Sequence, residues 1–380
     1  MKKHIFFTLA IILSVSLFYT KVSADTGAYS GLADFSVADE YKNFVTSLDE
    51  TIKDVLPEDF GISAEDDAAK LTSWNFLLYS LGDSFALSVK SILPSFARLI
   101  GVILLIALIK RLSELTDAKS ASLISFISSI CIAASFILMQ YDTVLLVKER
   151  LNDISSLAAC MAPVFAALYT AGGNVNGAYV SGGGLGIFIF ITEQILSNIC
   201  FPFFGAAFCL ASISASGELK LNGVLRSLKK AYTNILSFTM SIFCAILAAQ
   251  SIIGAGRDSL SLRAAKFITS SSLPIVGSAV GESLKSLGNG IGMLRKSVGG
   301  VGVVMVLLLI LPTTVLLILN GTLLNFSASL AEILGCDKEK ELLENISGIY
   351  TCLTATLTVC AVTFAFMLIM LARSAVAVKA

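Results

Sequence analysis

One carboxylate interrupts a long apolar run: Glu193, in FIFITEQILSN. An ionisable group at the centre of a bilayer costs about 2.5–3.5 kcal/mol by insertion scales, so it pairs with a partner or faces a cavity. Two chemistries are open to it, proton or cation coupling and a structural hydrogen bond. A second feature is SSSLPIVGSAVGES at 270–283 and the residues that follow it, where Gly277, Gly281, Gly288, Gly292 and Gly299 recur at intervals of 4, 7, 4 and 7. On a helix these intervals keep one face nearly bare of side chains, so another backbone can come close. Pro274, at the start of this tract, would open the helical hydrogen-bond ladder and free a carbonyl. Pro274, Gly277, Gly281, Gly288 and Gly292 are thus candidates for helix packing or for lining a pore.

Other chemistry is scarce. The sole histidine, His4, falls in the first two dozen residues, and no G-x-x-x-x-G-K-[ST], H-E-x-x-H or G-x-S-x-G occurs. GAGRDS at 254–259 follows a membrane run and has no βαβ context, so it does not read as a nucleotide loop. The eight cysteines contain no C-x-x-C, and nearly all lie in apolar runs where cysteine acts as a small hydrophobe. The expectation is a protein that is not an enzyme and that takes no cofactor, metal or nucleic acid.

The elements that must position these residues are membrane helices. Of 380 residues 56% are hydrophobic and only 14% charged, and the mean hydropathy is +0.84. Soluble domains carry about 25% charged residues. Continuous apolar runs fall at 92–109, 120–139, 155–171, 185–213, 232–256, 299–321 and 349–372, and the more polar 267–283 makes an eighth. The fold class is therefore all-α: a polytopic helical membrane protein with about seven (six to eight) transmembrane segments.

Residues 1–24 read as a signal peptide: Lys2 and Lys3, an apolar stretch from Ile5 to Tyr19, then Val22-Ser23-Ala24. Residues 25–91 form an acidic extracytoplasmic segment of one or two surface helices; 25–83 hold thirteen acids against three lysines. Residues 92–380 form the membrane domain, with the Gly/Ser-rich tract at 264–302. The loop charges place Lys110-Arg111 and 215–231 in the cytoplasm, 322–348 outside by its acidic excess, and Arg373 and Lys379 in the cytoplasm. Keeping that parity requires 155–171, with Pro163 and the uncharged GGNVNGAYVSGGG after it, to be re-entrant or interfacial, and 267–283 to cross inward as its own span.

The stretch AAKFITSSSLPIVGSAVGESLKSLGNGIGMLRKSVGGVG (264–302), behind a signal and an acidic segment, resembles the stage III sporulation protein AE family. The resemblance implies a multi-pass protein of the outer forespore membrane, on the mother-cell side. It also implies partners: the other stage III sporulation A-operon proteins, including an ATPase subunit, and stage II sporulation protein Q. The role implied is a permease-like or pore-platform subunit of a channel linking mother cell and forespore. A small-molecule secondary transporter using Glu193, and a non-conducting scaffold, are the alternatives. A homo-oligomer fits the glycine face.

Overall fold

The computed structural model describes residues 74–114, 118–171, 175–194, 199–216, 221–243, 245–246 and 276–373, with Thr46; for 74–75, 77–78, 112–114, 118–126, 128–141, 171, 175–177, 180–181, 215–216, 276–297 and 373 it describes the backbone only. The signal peptide, most of the acidic segment and Pro274 lie outside the described residues. Seven helices are present among those described: α1 Trp74–Glu114, α2 Ala118–Ala171, α3 Val175–Gln194, α4 Phe201–Ser216, α5 222–243, α6 Val276–Ile333 and α7 Asp337–Arg373. Among the described residues four stretches are long and apolar enough to cross a membrane: Tyr79–Arg111, Asp142–Thr170, Val298–Ile333 and Asp337–Ala372.

The α6–α7 hairpin is the spine. α6 stops because Gly335 takes a φ of 75°, a left-handed conformation that other L residues resist. Its amide donates to the Glu332 carbonyl (3.0 Å), and that of Cys336 to the Ala331 carbonyl (2.8 Å). These two bonds are the paired 5→2 and 6→1 closures of a Schellman motif, which satisfy carbonyls that the helix end leaves free. The chain then reverses, and Lys340 donates its amide to the Cys336 carbonyl to start α7. Small residues set how near the two helices lie. A Cβ placed on Gly299 would sit 2.8 Å from the Ala372 Cβ, and one on Gly302 would sit 2.5 Å from the Met161 Cε.

Side-chain contacts fix the direction of every helix. Lys110, near the end of α1, donates from Nζ to the Gly335 carbonyl at 2.6 Å. Tyr169, near the end of α2, donates to the Leu371 carbonyl at 2.7 Å, at the opposite end of the hairpin. Ser214 of α4 reaches Glu341, so α4 finishes beside the start of α7. Phe188 of α3 and Phe243 of α5 both meet the Phe188–Phe364 aromatic cluster, nearer the far end. α3 and α4 therefore run one after the other in the same direction, and α5 returns. The core is the buried stripe of all these helices, including Ile103, Leu151, Met161, Phe165, Val301, Leu317 and Leu368.

Several expectations are corrected. The charged stretch 140–154, between the apolar runs 120–139 and 155–171, is helical, and α2 runs through it; its charges are absorbed locally, as in the Arg150–Asp153 pair at 2.7 Å. The segment 155–171 is no re-entrant loop but the most buried part of α2, and the glycine-rich stretch is helical from Val175. The run 185–213 divides into α3 and α4, with Pro202 in the first turn of α4, where a missing amide costs nothing. Residues 276–283 and 299–321 belong to one 58-residue helix, so they cannot cross in opposite directions. No proline lies between Pro274 and Pro312, and at 1.5 Å per residue that helix is about 87 Å long, against about 30 Å of hydrocarbon.

The orientation changes as well. Lys110 touches the 334–336 turn, and Asn222 contacts Asn345, so 110–111, the region before α5 and the hairpin turn share one side. The expectations that set 110–111 and 322–348 on opposite sides therefore cannot both hold, and the acidic excess of 322–348 is the weaker signal, because retention depends on Lys and Arg while Asp and Glu contribute little. With this turn moved, the parity that called for a re-entrant 155–171 no longer arises, and the end of α7 lies at the far side.

Candidate functional site: a polar seam among α4, α5 and α7

Small and polar residues repeat along one face of α7: Glu341, Asn345, Gly348, Cys352, Thr356 and Cys360. Spacings of four and three keep them in register on a helix, and α5 answers with Asn222, Lys229 and Tyr232. Near the hairpin turn, the Ser214 hydroxyl lies 2.9 Å from Glu341 Oε1 and 3.2 Å from Asn222 Oδ1. One hydroxyl proton cannot serve both, and the carboxylate is the stronger and nearer acceptor. Asn345 Nδ2 supplies Asn222 Oδ1 instead, at 2.9 Å. Lys229 Nζ donates to the Asn345 carbonyl at 2.8 Å. Its stem lies directly over Gly348, where any Cβ would collide with the ammonium.

Deeper in, Tyr232 bridges two helices. Its hydroxyl contacts both Cys200 Sγ (3.1 Å) and Thr356 Oγ1. The Thr356 hydroxyl donates to the Cys352 carbonyl at 2.9 Å, so Thr356 must accept from Tyr232, and Tyr232 accepts from the Cys200 thiol. The chain of donors runs one way and ends on a backbone carbonyl. It holds a proton at each atom and can pass none on, which makes it a lock between helices. Phe203 stacks on the Tyr232 ring at 3.9 Å, closing the lock from the α4 side.

At the hairpin turn, burial pushes the Cys336 thiol up. Among the described residues no group of three or more His, Cys, Asp or Glu side chains converges to hold a metal.

Glu193 stands next to last in α3, with an exposed side chain. Gly277, Gly281, Gly288 and Gly292 lie along the first third of α6. The close backbone approaches that the structure shows are at Gly299, Gly302 and Gly348; of these only Gly299 was in the glycine series read from the sequence. Sequence reading missed the seam itself. The three-four spacing of polar residues on 341–360 was the available signal, hidden by an apolar run that averages it away.

The family model of stage III sporulation protein AE matches residues 65–375, which takes in every helix from α1 to α7. The chain belongs to the stage III sporulation protein AE family. A stage III sporulation protein AE from Bacillus subtilis (strain 168) is 25% identical over 158 residues. The matched stretch covers 41% of this chain and 39% of that relative. No solved structure matches the chain. The membership and the four membrane-length helices together make this stage III sporulation protein AE family member a sporulation membrane protein.

Proposed function

We propose that the protein is the membrane subunit of a multi-protein, secretion-like channel that joins mother cell and forespore during endospore formation. It sits in the outer forespore membrane on the mother-cell side, and the hairpin-turn end, with Lys110, Arg111, Lys229, Lys230, Lys338 and Lys340, faces the cytoplasm. Its partners are the other stage III sporulation A-operon proteins, among them an ATPase subunit, and stage II sporulation protein Q.

One observation carries the platform role. Gly299 of α6 lies against Ala372, close to the last described residue of α7, yet α6 begins 23 residues earlier, at Val276, and reaches about 35 Å beyond that point. That extension bears Gly277, Gly281, Gly288 and Gly292, whose spacing suits close packing against another chain. A subunit of an assembly uses such an arm. A self-contained transporter built on Glu193 gains nothing from it, and Glu193 is exposed at a helix end.

The test is Gly281→Leu and Gly288→Leu in an endospore-forming host. The expected result is normal membrane insertion with loss of partner co-purification and of spores. Intact assembly and sporulation in both variants would overturn the platform role.

A further inference from the structure

α5 runs from the hairpin end to the Phe188–Phe364 cluster, and its 22 residues rise about 33 Å, close to a bilayer core. Leu225, Tyr232, Leu236 and Phe243 bury one face. The remaining surface is not uniform. Taking 100° per residue, Val224, Ile235, Phe238 and Ile242 gather in one apolar strip, and all four are exposed. Beside it Arg226, Lys230, Thr233, Asn234, Ser237 and Ser241 form a second exposed strip, polar from end to end.

Lipid suits the first strip and not the second. Thr233, Ser237 and Ser241 donate to the carbonyls of Lys229, Thr233 and Ser237, each at 2.9 Å, so their own protons are satisfied. Asn234 has no such route. Its amide carries two donor protons and an acceptor, the side chain is exposed, and it has no hydrogen-bond partner among the described residues. Arg226 and Lys230, one turn apart at the hairpin end, are exposed and form no ion pair there. A dry seam with a second, parallel copy would set these cations against their own counterparts, which disfavours it. Water satisfies Asn234 and the cations together.

We propose that this strip of α5 is one wall of an aqueous conduit, entered past Arg226 and Lys230, and that it favours anionic solutes at its mouth. The inference rests on the channel reading above and locates the passage on α5, away from the glycine arm of α6.

Single cysteines at 226, 230, 234, 237, 241 and at 224, 235, 238, 242 test it. They are scored in sporulating cells as labelling by membrane-impermeant thiosulfonates gained over the parent chain. The expected pattern is labelling of the first five and none of the last four. With Arg226 and Lys230 intact, an anionic reagent should modify position 234 roughly tenfold faster than a cationic one, and Lys230→Gln with Arg226→Gln should remove that preference. Labelling that stops at 226 and 230, or that is equal on both strips, overturns the proposal. Partner co-purification and spore counts in the same strains separate the two readings. Intact assembly with an unlabelled strip sinks the α5 wall alone, while intact assembly in the α6 glycine variants sinks the platform role whatever α5 shows.

Discussion

Gly299→Ala is the sharpest perturbation of the hairpin. The added Cβ would lie 2.8 Å from the Ala372 Cβ and 3.5 Å from the Leu368 carbonyl oxygen. Carbon atoms rest about 3.5–4.0 Å apart, and neither obstacle is the free end of a flexible chain, so the helix axes must part by about 1 Å. Such a gap forfeits a quarter to a half of the dispersion attraction across the crossing, and overpacking of this kind costs about 1–3 kcal/mol. Replacing glycine by alanine inside a helix returns up to about 1 kcal/mol. The net expectation is a loss of about 1–2 kcal/mol. Gly321→Ala serves as the control, because its nearest neighbour, the Tyr350 Cβ, is at an ordinary 3.6 Å. That change should be neutral or stabilise by about 0.5–1 kcal/mol. The assay is reversible unfolding of the purified chain in mixed micelles by SDS titration. Adding Ala372→Gly to Gly299→Ala should recover most of the clash energy. A Gly299→Ala chain as stable as the parent, or a Gly321→Ala chain that is the weaker of the two, would refute the reasoning.

Tyr232→Phe removes the bridge between Cys200 and Thr356 and should lower stability by about 0.6–1.5 kcal/mol in the same titration, with the aromatic stack kept. Gly348→Ala forces the Lys229 ammonium off α7. It should break the Lys229–Asn345 contact, and adding Lys229→Ala should rescue most of the loss; a Gly348→Ala chain with full stability speaks against the seam. Cysteines at 110, 230 and 338 should all label from one face of the membrane with an impermeant reagent. Labelling of 338 from the opposite face would restore the reading in which 322–348 lies outside.

Composition and apolar runs made the helical, membrane-spanning class legible, because hydrocarbon leaves the backbone little choice. The family was legible in the tract around Pro274, Gly277 and Gly281. Helix lengths were not. A window of hydropathy ends where charges begin, but α2 passes through Lys148, Glu149, Arg150 and Asp153, because charges do not end a helix. That the run 185–213 holds two helices, α3 to Gln194 and α4 from Phe201, went unseen for the opposite reason, since both are apolar. Glu193 could be found by type, but its position at the end of α3 needed that division. The seam needed three helices at once, and no periodicity within one segment shows that Tyr232 lies between Cys200 and Thr356.

The bond from Lys110 to Gly335 joins positions 225 residues apart. During synthesis this end of α1 must therefore wait for that bond until residue 335 has been made. The tie between α1 and the α6–α7 turn is then a late event, closed only after the helices between them are in place.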